Sequence, residues 1–243
     1  SNISDSTEND SDKVIGDNGK VTFENDGSIS VFATTNAGTG AKDEIYTGNG
    51  GDIIAGGDGD DEIYACVISS SSTCNGNDQS RDIVLGDNGQ ATFDTHGILR
   101  KFISSDYGHE STLEANAAYT DTIHTGGGDD IIIGGIQADS IESGAGDDTV
   151  IGDNGNAEFN ETAILTRIET TAPTIGGSDT ISTGQGTDIV LGGYDTDTIH
   201  TYDTSNISDS TENDSDKVIG DNGKVTFEND GSISVFATTN AGT

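Results

Sequence analysis

Basic residues are scarce: nine Lys plus Arg stand against 44 Asp plus Glu, a formal charge of −35. A chain of that sign is repelled by phosphate backbones, which excludes nucleic acid as a direct partner. No apolar run approaches the roughly 20 residues that a membrane span requires. The sequence lacks His-Glu-x-x-His, Gly-x-Ser-x-Gly and the phosphate-binding Gly-x-x-x-x-Gly-Lys, so no catalytic signature is present. Its two cysteines and four scattered histidines (His96, His109, His124 and His200) have no zinc-ligand spacing. Only 30% of residues are hydrophobic. Low hydrophobicity with high net charge is ordinarily the composition of disorder, and a compact metal-free chain this acidic would repel itself.

What is abundant is glycine, 35 residues of it, and it is phased with the acids. Asp121, Asp130, Asp139 and Asp148 fall nine residues apart, each followed two places later by a β-branched residue: Ile123, Ile132, Ile141 and Val150. Between them lie turn-forming stretches such as Gly126 to Asp130 and Gly144 to Asp148. Nine residues are too few for a helix and its turns, whereas closely spaced glycines allow the positive φ values that a sharp corner needs. The period therefore predicts an all-β solenoid in which each nonamer is a tight turn plus a short strand, alternate nonamers stacking at roughly 4.8 Å. Stacked turns would bring acids and carbonyls together in the oxygen-only shell that suits Ca²⁺ better than Mg²⁺. A solvating acidic tail needs no such register. Folding is thus expected to be linked to metal, binding energy serving as folding energy.

The pattern resembles the hemolysin-type calcium-binding repeat of RTX (repeats-in-toxin) proteins, Gly-Gly-x-Gly-x-Asp-x-U-x with U a large apolar residue. In the same frame, position six is also held by Asp43, Asp52, Asp61, Asp82, Asp179, Asp188, Asp197, Asp216 and Asp12. These nine and the four above are the expected metal ligands for multiple Ca²⁺. The nonamers ending at Asp12, Asp82 and Asp216 carry almost no glycine and depart most from the consensus. The resemblance implies a calcium-binding parallel β-roll and secretion by a type I route, unfolded at low cytosolic calcium and folded outside the cell. Extracellular calcium modules commonly bind at about 10⁻⁴ to 10⁻³ M, which matches such a switch.

A longer period overlies the short one. Val14, Val84, Val150 and Val218 each open a Val-(Ile/Leu)-Gly-Asp-Asn-Gly segment, at spacings of 70, 66 and 68 residues, and residues 205–243 repeat 1–39 without a change. This divides the chain into units at 1–83, 84–149 and 150–217, with 218–243 opening a further copy identical to 14–39 and a full period of 204 residues. The chain reads as a fragment of something longer, starting at Ser1 without Met or signal peptide and showing no capping module. After each Gly-Asp-Asn-Gly comes Phe23, Phe93, Phe159 or Phe227 at the U position, with Val21, Ala91, Ala157 and Val225 where the ligand would stand. That fifth, altered nonamer leaves open whether Asp17, Asp87, Asp153 and Asp221 ligate. With a following strand (28–35, 98–105 and 164–171) counted as a sixth rung, each unit makes three coils, nine per block, and the block rises roughly 43 Å.

One face of this roll has polar residues flanking U, such as Thr122, His124, Ser140 and Glu142. The other has an apolar stripe, including Ile53, Ile83, Leu85, Ile131, Ile133, Ile189 and Leu191, that needs a cover. Lateral association with another chain and shielding by local segments of this one both answer that need. Two insertions, 65–76 and 201–210, read as surface loops. The first holds Cys66 and Cys74, close enough for a small disulfide, the favoured state in an extracellular protein, as two free thiols would be in a cytosolic one. Acid pairs such as Asp60 with Asp61, Asp129 with Asp130 and Asp147 with Asp148 recur along the ladder, where a glycosidase dyad would occur once.

The expected function is a non-enzymatic, calcium-dependent structural repeat of a secreted bacterial protein, located outside the cell or on its surface as a stalk, filament, matrix or adhesin element. Its partners would be further copies of the same repeat, end to end or lateral, and cell-surface or matrix contacts. The alternatives are the secretion and folding module of a larger enzyme or toxin, and an ice- or glycan-binding surface built on regularly spaced threonines.

Overall fold

A computed structural model describes residues 10–68, 73–74, 78–105, 119–202 and 215–239, together with the backbone of Ile3–Ser4. Among these residues there are strands and turns and no helix. Two parallel sheets hold the nonamers. The outer sheet runs in the order β1 (Ile3–Ser4), β5 (Glu44–Tyr46), β7 (Glu62–Tyr64), β11 (Thr122–His124), β13 (Ser140–Glu142), β17 (Thr180–Ser182), β19 (Thr198–His200). The central sheet runs β2 (Lys13–Ile15), β6 (Ile53–Ala55), β8 (Ile83–Leu85), β12 (Ile131–Gly135), β14 (Thr149–Asp153), β18 (Ile189–Leu191), β20 (Lys217–Ile219). Successive nonamers alternate between the two, as a β-roll requires. Register is strict, because a slip of one residue would turn every U side chain out of the core. Ile45, Ile63, Ile123, Ile141, Ile181 and Ile199 are successive partners in one sheet. Val14, Ile54, Val84, Ile132, Val150 and Val190 are successive partners in the other. The two ladders face each other as one dry core.

The altered nonamer and the strand after it do not continue the roll. They pair with each other as hairpins: β3 (Gly19–Phe23) with β4 (Ile29–Thr34), β9 (Gly89–Phe93) with β10 (Leu99–Ser104), β15 (Gly155–Phe159) with β16 (Leu165–Thr170), β21 (Gly223–Phe227) with β22 (Ile233–Thr238). The hairpins join into one eight-stranded antiparallel sheet. Their strands run to five or six residues against three in most rungs, the first strand of each pair alternates apolar with polar, and a tight turn ties each pair. In the first turn Glu24 N donates to Ser28 O and Asp26 Oδ1 accepts from Ser28 N. The corner residue takes a positive φ in all four turns, at Gly27, Gly97, Ala163 and Gly231. The expectation of a sixth rung and three coils per unit is therefore corrected. Each unit makes two coils and one hairpin. Val14 and its copy Val218 stand six strand steps apart in the central sheet, so the block rises roughly 29 Å rather than 43 Å.

This third sheet covers the apolar stripe. Ile53, Ile83, Leu85, Ile131, Ile133, Ile151, Ile189 and Leu191 pack against Phe32, Phe93, Leu99, Phe102, Phe159 and Ile168. Shielding comes from the chain itself. Phe32, Ala91, Phe102, Ala157, Ile168 and Val225 form one inward row of cross-strand partners, with large side chains opposite small ones. The central sheet is consequently buried on both faces, which explains its unbroken β-branched and aliphatic runs. The outer sheet keeps one face to solvent. There the rings of Tyr46, Tyr64 and His124 stack, with centroids 5.1 Å and 4.9 Å apart, and His124 Nδ1 lies 3.0 Å from Glu142 Oε2. Five of the nine basic residues, Lys20, Arg100, Lys101, Arg167 and Lys224, stand on the antiparallel sheet.

Cys66 and Cys74 are bonded, with Cα atoms 5.6 Å apart. Most of the remainder of that insertion, and the second one beyond Tyr202, lie outside the described residues.

Candidate calcium columns

Each rung enters its strand through a turn, and position six is the last residue before the strand. Stacking therefore puts these aspartates one above another along the two edges of the roll. One column holds Asp12, Asp52, Asp82, Asp130, Asp148, Asp188 and Asp216, leading into the central sheet. The other holds Asp43, Asp61, Asp121, Asp139, Asp179 and Asp197, leading into the outer sheet. All thirteen sequence positions fall in one column or the other, including the three whose nonamers are poor in glycine. Within each column the backbone N–H of one aspartate donates to Oδ1 of the next, at 2.7–3.1 Å. The side chain at position six thus links layers as well as carrying charge.

Eleven of the thirteen carboxylates, all but Asp12 and Asp43 at the head of each column, spend one oxygen on that link. The other oxygen, Oδ2, is buried without a hydrogen-bond partner at Asp61, Asp82, Asp121, Asp139, Asp179 and Asp197, whereas the Thr47 and Thr125 hydroxyls hydrogen-bond the carboxyls of Asp52 and Asp130. A buried anionic oxygen with nothing to accept from is costly, and a cation is the group that relieves it. Asp148 and Asp188 differ, because Ser143 Oγ and Thr183 Oγ1 donate to their Oδ2 atoms. In the second column the turn glycines leave space for an ion. A methyl group built on Gly56 would collide with the Gly86 carbonyl oxygen and with Asp61 Oδ2, and one on Gly134 with the Gly152 carbonyl oxygen and Asp139 Oδ2. The same pairing of a carboxylate and a carbonyl oxygen recurs at Gly86, Gly152 and Gly192. Among the described residues no three His, Cys, Asp or Glu side chains close on one point. Carbonyl oxygens must therefore complete each shell, a hard all-oxygen set that fits Ca²⁺. These residues would hold the ions, which when bound supply the positive charge between layers.

The electrostatics agree. Burial, reinforced by neighbouring carboxylates, raises the protonation range of the column acids: Asp52 and Asp197 to about 6, Asp61 and Asp130 to about 7, Asp179 to about 8, Asp148 to about 9 and Asp82 to about 10. Asp121 and Asp139, buried most deeply, are pushed well up by the same causes. Without cations, protons are the only counter-charge available to them.

Other acids have structural roles that the nine-residue frame conceals. Asp17 Oδ2 accepts from Asp58 N at 2.8 Å and Asp87 Oδ2 from Ile136 N at 2.5 Å, while Asp153 accepts from Gly177 N at 2.8 Å and from Tyr194 N. In the first three Gly-Asp-Asn-Gly segments the Asp therefore fastens a turn in the neighbouring layer. Asp78, missed in the sequence, does similar work in the glycine-poor nonamer, accepting from Ser80 N at 2.9 Å and Gly50 N at 3.2 Å. Its signal was its place at position two, where Asp17 and Asp87 stand in theirs. Asp58 accepts from Thr39 N at 2.7 Å and Asn88 Nδ2 at 2.6 Å. In the acid pairs, position six faces the column while position five accepts from the adjoining layer: Thr120 N donates to Asp60, Asp147 N to Asp129 and Thr187 N to Asp147.

No curated protein and no solved structure is significantly similar to the chain. The family model of the RTX calcium-binding nonapeptide repeat matches in four copies, at residues 37–65, 118–141, 124–157 and 174–203. Those stretches contain ten of the thirteen column aspartates, and with the layered geometry around them they mark the RTX calcium-binding nonapeptide repeat in this chain, a repeat that takes up multiple Ca²⁺.

Proposed function

We propose that the chain is a load-bearing segment of a secreted protein, a calcium-stiffened stalk or filament element working outside the cell. The observation that carries this reading is the unbroken run of both carboxylate columns through three units of a sequence that then begins again. A secretion module for an attached enzyme has no need of a long identical copy, whereas a spacer gains length from each one. Two further features support the location. RTX repeat proteins are typically secreted, and the Cys66–Cys74 bond belongs to an oxidising compartment. Among the described residues no helix is long and apolar enough to cross a membrane.

Calcium then acts as the assembly signal. At low concentration the columns repel, and at extracellular concentration they become struts between layers. Circular dichroism and small-angle scattering across a calcium titration test this directly. The expected result is an expanded chain in EGTA that becomes β-rich and rod-shaped near about 10⁻⁴ to 10⁻³ M calcium. A compact β-rich rod unaffected by chelation would refute it.

A further inference from the structure

Residues 14–39 and 218–243 have the same sequence but different surroundings, so the molecule contains its own control. Phe32 in β4 is 4% exposed, beneath the neighbouring strand β9, whereas its copy Phe236 in β22 is 40% exposed. Val14 in β2 is 8% exposed and its copy Val218 in β20 is 43%. At the opposite end the relation inverts: Val21 in β3 is 39% exposed, and its copy Val225 in β21, which borders β16, is fully buried. The end formed by β19, β20 and β22 is therefore a surface whose covered state is already visible elsewhere in the same chain.

We propose that this end is the docking surface for a further copy of the 204-residue block running on in the same chain, so that consecutive blocks form one column of three sheets with no linker between them. The register follows from the first copy. Lys217–Ile219 would pair with the next block's equivalents of Ile53–Ala55, as Lys13–Ile15 do here, and Val235 would oppose the equivalent of Thr92, as Val31 does. Layer counting selects this occupant over a separate molecule. A chain that restarted at β2 would add one strand to the central sheet and two, β3 and β4, to the antiparallel sheet, and the two would fall out of step. A chain that continues adds two to each, through the equivalents of β6, β8, β9 and β10. The inference rests on duplicated sequence and does not depend on which ion fills the columns.

The test compares the 243-residue chain with one extended by a second copy of residues 40–243, both at calcium saturating the circular dichroism signal. In the shorter chain Phe32→Ala should lower the melting midpoint by several degrees and Phe236→Ala by less than about a third as much. In the longer chain the two shifts should become equal, melting should remain a single calorimetric transition, and scattering should show about 29 Å of added length. Two separate transitions, or a Phe236→Ala shift that stays small, would overturn the proposal. So would a 243-residue chain that multimerises end to end and thereby protects Phe236, since a separate copy would then suffice.

Discussion

A column aspartate such as Asp139 is asked to do two things that conflict. Its Oδ1 must accept a backbone N–H from the adjoining layer, and its Oδ2 must sit buried among like charges. Substituting Asp139→Asn separates them, since the amide oxygen can keep the layer link while the charge is lost. The variant is expected to raise the melting midpoint in EGTA, where repulsion dominates, and to lower it in calcium, where a ligand is missing. It should also weaken calcium uptake at that level at least about tenfold. Melting in both buffers, with calcium counted by isothermal titration, checks the reversal of sign. A variant destabilised in both buffers would show that Asp139 serves packing alone. The stacking of these carboxylates was legible in advance, because thirteen of them in one frame require one environment. Asp78 and Asp58 were not, since they act through turn backbones whose proximity only the stacked layers create.

At the level of elements, the two kinds of strand are distinguished by length and period. Most rungs are three residues long with a central U residue, five in β12 and β14, whereas Gly89–Phe93 alternates over five residues and its six-residue partner Leu99–Ser104 is bulged between Leu99 and Lys101, so that Leu99 and Phe102 still meet the one apolar row. That alternation was present in the sequence, but the nine-residue frame also placed Phe93 at position U, and the frame won the reading. The apolar stripe on the central sheet was the better guide, because it demanded a cover of matching length. Phe102 is the centre of that cover, fully buried opposite Ala91 and Ala157. Phe102→Ala should destabilise the calcium-loaded protein by about 3 to 5 kcal/mol, read by chemical denaturation, while leaving the number of bound calcium ions unchanged. A loss of ions with the side chain would show that the cover positions the columns as well.

The whole molecule carries −35 formal charges, and its columns respond to pH as a group. A carboxyl whose protonation range is higher when folded than the ordinary 3.8 stabilises the fold fully below about pH 4, and that contribution is lost as pH rises through the folded value. For Asp52, Asp61, Asp130 and Asp179 these values run from about 6 to about 8. The calcium-free chain should therefore become more compact and melt higher as the buffer is taken from about pH 8 to about pH 5. The calcium-loaded chain should do the reverse, because protons displace the ions. Melting curves at both pH values, with and without EGTA, would show two slopes of opposite sign, and parallel slopes would contradict the ionic account. One consequence follows from the matched layers, two from the roll and two from the hairpin sheet in every unit. Loss of a single nonamer pair would leave the antiparallel sheet overhanging its support and gain of one would leave a central strand uncovered, so unequal crossing-over between gene copies can lengthen or shorten this protein only in whole quanta of about 68 residues.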